Sequence, residues 1–144
     1  MKIQVIITTL ALTSSLIFVA SPKIAASEQE TVQEKSSIVE VSRIAIAPVI
    51  ENREPQNASD KFSADIGNLY CFTHVVGAET PTHVVHKWYY NDELRSAITL
   101  AVNSISWRTF SLIPISPEQT GSWRVDIVHG ESEEIIKTAE FEIE

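Results

Sequence analysis

The sequence predicts an all-β fold: a single antiparallel β-sandwich of about seven strands, immunoglobulin-like in order, following an N-terminal signal segment. Two observations carry that prediction. From Val41 onward apolar and polar residues alternate with a period of two, the spacing that turns one side of a strand to a core and the other to water. Turn chemistry interrupts the alternation at Gly77, Asn91-Asp92, Pro117 to Gly121 and Gly130-Glu131-Ser132, and no long amphipathic helix intervenes. Strand count alone leaves a small closed barrel as the alternative.

With 144 residues, 44% of them hydrophobic, the chain has room for one domain of ordinary size. Met1-Lys2 is a minimal basic start, and Ile3 to Ala20 is apolar apart from Gln4 and scattered Thr and Ser, the pattern of a secretory signal. The small residues of "SPKIAA" put the expected cleavage after Ala26, so residues 1–26 read as signal peptide and the location as periplasmic or secreted. The alternative is an uncleaved segment anchoring the chain in the inner membrane, since the apolar run approaches the length of a span. Residues 27–40, "SEQETVQEKSSIVE", are polar and acidic and read as a flexible lead, which makes 41–144 the sandwich domain.

The elements follow in order. In "VSRIAIAP" Ile44 and Ile46 share a face and Pro48 ends the strand. "VIENREPQNASDKFSADIG" reads as a long connection with one helical turn around Ser59 to Ile66. Six more strands are expected: "LYCFTHVV", "PTHVVHKWYY", "LRSAITLAVN", "ISWRTFSLI", "SWRVDIVH" and "EIIKTAEFEI". Alternation puts Leu94, Ile98, Leu100 and Val102 on one face of the third of these, and Ile135, Ala139, Phe141 and Ile143 on one face of the last.

Lys2 and Lys23 leave with the signal segment, so nine Lys and Arg face nineteen Asp and Glu in the exported chain, a balance of −10. No basic run offsets this, which excludes nucleic acid as a partner and restricts any membrane contact to an uncleaved N-terminal segment. Cys71 is the one cysteine, so no disulfide can form within the chain.

The motifs "IENREP" (50–55), "LYCFTHVVG" (69–77), "THVVHKWYYND" (82–92), "SWRTFS" (106–111) and "GSWRVDIV" (121–128) together resemble the bacterial domain-of-unknown-function family 2914 (DUF2914). The ordered series from Arg-Glu-Pro through Cys-Phe-Thr and His-x-Trp to two Trp-Arg pairs carries the resemblance, over roughly Ile44 to Ile143. It implies a small exported or membrane-associated bacterial domain with no established activity. Phe110 stands where the family pattern would have another tryptophan.

His83 and His86 are three apart, so in a strand they point to opposite faces and cannot ligate one metal together without a bulge. His86 falls on the face of Val84, Trp88 and Tyr90 and is expected in the core, its ring nitrogens satisfied by backbone or a neighbouring strand. His83 shares the other face with Lys87 and Tyr89. Cys71, flanked by Leu69, Tyr70 and Phe72, is expected to pack as a small hydrophobe, with His74 on the wrong face to activate it. No G-x-S-x-G elbow or phosphate-cradling glycine loop occurs. In each Trp-Arg pair the ring and the guanidinium point oppositely, so Trp107 and Trp123 are expected inward, with Arg108 and Arg124 outward. Arg53 and Glu54, before Pro55, read as turn-forming.

The expectation is therefore a non-enzymatic module binding a partner protein or glycan of the cell envelope, with no metal or other cofactor. Arg108, Arg124, Tyr89, Lys87 and His83 are the expected binding residues, the two arginines meeting on one sheet face. The alternatives are a metal-binding protein or metal-dependent enzyme using His74, His83, His86 or His129, and a structural spacer.

Overall fold

A computed structural model describes residues 38–144; the expected signal segment, and the lead as far as residue 37, lie outside them. The described residues form β1 (Glu40–Ala47), β2 (Val49–Glu51), β3 (Glu54–Gln56), β4 (Lys61–Phe62), β5 (Asn68–Val76), β6 (Thr82–Tyr90), β7 (Glu93–Val102), β8 (Ser106–Pro114), β9 (Gly121–His129) and β10 (Ile135–Ile143). Seven of these are long, and they divide between a three-stranded sheet, β1-β5-β8, and a five-stranded sheet, β4-β10-β9-β6-β7. The first, second and fifth long strands thus lie in one sheet and the third, fourth, sixth and seventh in the other. That Greek-key division is the immunoglobulin-like sandwich expected from the alternation.

The core lies between the sheets. Leu69, Cys71 and Val75 of β5 and Ile113 of β8 face Val84 and Trp88 of β6, Val125 and Ile127 of β9, and Phe141 and Ile143 of β10, all buried. Burying each such apolar side chain contributes roughly 1.5–3 kcal/mol. At one end Phe141 gathers Phe62, Trp88 and Trp123 around it, with ring centroids 6.0, 6.2 and 5.9 Å away. Trp123 keeps its indole N–H satisfied by donating to the Gln119 carbonyl at 3.0 Å.

Three features depart from the sequence expectation. Register shifts interrupt β1 between Val41 and Arg43, the β6–β7 ladder between Trp88 and Tyr89, and β10 between Ile135 and Lys137. An extra residue in a strand reverses which side follows, so Leu94 and Ile135, expected inward, are 51% and 56% exposed. Ile136 packs against the core in place of Ile135. The helical turn expected near Ser59 to Ile66 is absent: Lys61 and Phe62 pair in parallel with Glu142 and Ile143 at the edge of β10. The connection before it holds a hairpin, β2 on β3, closed by Asn52 and Arg53 with φ of 49° and 62°. Two successive positive φ values are the mark of a type I′ turn, and Asn91-Asp92 between β6 and β7 repeats it with 47° and 64°.

Candidate functional site

His86 is fully buried, beside Trp88, where β6 faces the opposite sheet. Its Nδ1 lies 2.7 Å from Ser111 Oγ of β8 and its Nε2 3.2 Å from Thr73 Oγ1 of β5. Trp88 Nε1 donates to the same Ser111 Oγ at 3.0 Å. One proton arrangement satisfies every group: the indole N–H donates to Ser111, the Ser111 hydroxyl to Nδ1, and the Nε2–H to Thr73. Burial pushes the His86 pKa down to about 4, so the ring is neutral at pH 7. A serine and histidine at this spacing suit nucleophilic catalysis only if substrate can reach them. Here Ser111 is 4% exposed and His86 is closed off, so the network ties the sheets together. Cys71 is likewise buried, and desolvation drives its thiol pKa upward, which removes the thiolate that nucleophilic or metal chemistry needs.

The outer face of the five-stranded sheet holds His83, Lys87, Tyr89 and Arg124. Arg124 lies over the Tyr89 ring, 4.4 Å from its centroid, and is held by Asp92 Oδ1 at 2.7 Å and Asp126 Oδ1 at 3.2 Å. The bond to Asp92 is the main reason its pKa rises above the ordinary value. Asp126, 5% exposed, also accepts from Thr138 Oγ1 at 2.9 Å. Lys87 stands across from Asp126 in the β6–β9 register. His83 is closed in by the β9–β10 turn: Gly130 donates its N–H to the His83 carbonyl at 3.0 Å, and a Cβ on Gly130 would occupy the imidazole's place. Beside this face a groove of about 590 Å³ runs past Lys61, Arg124, Glu140 and Glu142. Both of its cations are already paired, Lys61 with Glu144 at 2.6 Å, so the groove is acidic on balance.

Arg108 is elsewhere. Expected with Arg124 on one sheet face, it projects instead from β8, which bonds to β5 in the three-stranded sheet, while Arg124 projects from β9 in the other. Arg108 sits across from His74, and His74 from Arg43, so the three form one row over β8, β5 and β1. Glu54, from the β2–β3 hairpin, bridges the row's ends: it meets Arg43 Nη1 at 2.7 Å and Arg108 Nε at 3.2 Å. Arg53, at the hairpin tip, lies 5.6 Å from the Trp107 ring centroid and donates to the Arg108 carbonyl at 3.1 Å. A notch of about 260 Å³ opens among Arg53, Trp107 and Arg108. On the same outer side Phe110 and Leu112 are 42% and 44% exposed.

Arg43, Arg53 and Glu54 were therefore missing from the residues expected to bind. Arg53 and Glu54 read as turn-forming in the sequence, which does not carry the strand order that lays the hairpin over Arg108. Among the described residues no three His, Cys, Asp or Glu side chains gather in a way that would hold a metal ion.

Comparison with known proteins bears on the same elements. The model of a family described as "Protein of unknown function (DUF2914)" matches residues 81–143. The stretch from β6 to β10 carries the DUF2914 pattern. The resemblance read from the motifs is borne out there, while "IENREP" and "LYCFTHVVG" precede the matched DUF2914 stretch. Among solved structures the chain is similar to the solution NMR structure of a CARDB domain from Pyrococcus furiosus, at 11% identity and a TM-score of 0.45, over 73% of this chain and 93% of that one. Among curated proteins none matches the chain.

Proposed function

We propose that the chain is an exported, non-enzymatic recognition module that binds an acidic protein partner on the outer face of its three-stranded sheet. One observation carries this reading. Arg43 and Arg108 share a single carboxylate, Glu54, and Arg53 joins them through the Arg108 carbonyl, although the described residues contain sixteen acids against eight Lys and Arg. A local cationic surplus on an acidic protein favours encounter with an acidic surface, and exposed Phe110 and Leu112 beside it offer the apolar contact that gives such an encounter lifetime. On the other sheet Arg124 is matched by two acids, which makes it a poorer anchor.

A protein is preferred to a glycan because sugar rings stack on open aromatic faces. Trp88 and Trp123 are buried, Trp107 lies under Arg53, Tyr89 lies under Arg124, and the half-exposed Phe110 ring is engaged edge-to-face by Tyr70 at 5.8 Å. Full burial of His86 weighs against the histidine-based alternative.

Fluorescence anisotropy of the full chain with a nonapeptide of alternating Glu and Val, and with its Lys-for-Glu counterpart, tests the reading. The acidic peptide alone should bind, and Arg108→Ala should weaken it about tenfold, roughly 1.4 kcal/mol, whereas Arg124→Ala should leave the affinity unchanged. Absence of binding, equal binding of both peptides, or an unaffected Arg108→Ala variant would overturn it.

A further inference from the structure

We infer that the free edge of β8 takes the partner as an added strand: Phe110 and Leu112 supply main-chain hydrogen bonds, and the notch beside Arg53 and Arg108 holds a carboxylate of the incoming peptide. This rests on the acidic-partner reading and gives it a geometry.

The three-stranded and five-stranded sheets end in four edge strands, β1, β8, β4 and β7. Three of them are poor templates for pairing. β4 has two residues, and the ladders of β1 and β7 are broken by register shifts, which twist an edge away from a flat partner. β8 instead pairs with β5 through nine consecutive rungs with no shift. It is the one long regular edge among them.

Its backbone is also oriented for the task. The Arg108 carbonyl accepts from Arg53, so it points away from β5. Along a strand the N–H and C=O of alternate residues point to the same side, so those of Phe110 and Leu112 face the open edge as well. Pro114 ends the run, having no N–H to offer. At the other end Arg53 caps the Arg108 carbonyl and, with Arg108, lines the notch of about 260 Å³.

Side chains name the occupant. Added strands are held by main-chain bonds and selected by alternate side chains. Beside Phe110 and Leu112 an apolar residue would be covered, and at the notch a carboxylate would meet two guanidinium groups. The chemistry is an extended, proline-free peptide with alternate apolar residues and an acid at the Arg108 end. A second copy of β8 fits poorly, because "SWRTFSLIP" contains no Asp or Glu to bring to the notch.

The test uses the full chain, the labelled Glu/Val nonapeptide and two versions of it, one N-methylated at alternate odd amides and one at the even amides. Only one set of amides can face β8, so one version should lose binding at least tenfold while the other binds as the parent does. Leu112→Pro, which removes an edge N–H that no strand uses, should lose the peptide to a similar extent with its circular-dichroism melt preserved. If this variant fails to fold, the methylated pair still decides. If the parent binds but both methylated versions match it, or both fall alike, strand addition is overturned and the acidic-face reading stands. If the parent does not bind, both are overturned. Sedimentation of the chain alone adds an outcome against the proposal: a dimer that Leu112→Pro dissociates would assign the edge to a second copy.

Discussion

His86 is held as a neutral ring, and this has a consequence for stability. Its pKa falls to about 4 in the folded chain from an ordinary 6.5, because burial penalises the imidazolium. Between those values the unfolded chain takes up a proton that the folded chain refuses. Its contribution is therefore complete above pH 6.5, is lost as pH falls from 6.5 toward 4, and changes no further once both states are protonated. At about 1.4 kcal/mol per unit the loss reaches roughly 3 kcal/mol. Urea unfolding of the parent and of His86→Gln, across that interval, isolates it: the parent should lose that much more than the variant, and parallel curves would mean the ring is not held neutral. Cys71 gives a second check. Buried, with its thiol pKa raised, it should resist a thiol reagent such as DTNB in the native chain and react fully once urea unfolds it. Strand parity in "THVVHKWYYND" was enough to put His86 beside Trp88. It was not enough to find Thr73 and Ser111, which lie 13 and 25 residues from His86 and reach it only through the strand order.

Two elements owe their place to tight turns that carry charge. The Asn91-Asp92 turn brings Asp92 to Arg124, and the Asn52-Arg53 turn sets Arg53 and Glu54 over β8. In the first cluster the burdens are unequal. Asp92 has a side chain 88% exposed, so Asp92→Ala removes a solvent-screened contact and should cost at most about 1 kcal/mol. Arg124→Ala strips a cation from Asp126, whose side chain is 7% exposed, and should cost about 1–3 kcal/mol. Thermal melts of both variants decide the order; an equal or reversed pair would mean that Thr138 alone satisfies Asp126. The seven long strands were legible because each runs eight to ten residues, long enough for period-two alternation to stand out. β2 and β3 have three residues each, and arginine at positive φ is no turn signal, so the sequence shows only a connection where the hairpin stands. Bulges escape for a similar reason. Nothing in "ELRSAITLAV" marks the register shift that turns Leu94 outward.

At the scale of the molecule the two sheets are joined by an apolar core and by one polar clamp, and the clamp centres on Ser111. Its hydroxyl serves two buried donors or acceptors at once, Trp88 Nε1 and His86 Nδ1, both from the opposite sheet. Removing it leaves two groups without partners in a place where water does not reach. Thr73→Val, close in shape to the original, leaves only His86 Nε2 without one. Each orphaned group costs about 1–3 kcal/mol, so Ser111→Ala should destabilise roughly twice as much as Thr73→Val in urea unfolding at pH 7. The pairing also predicts coupling. In a background where His86 is already replaced by Leu, Ser111→Ala orphans only the indole N–H, and its effect should shrink by about half. If the two substitutions instead add in full, Ser111 and His86 do not share the bond that the geometry gives them, and the sheets are held by apolar packing alone.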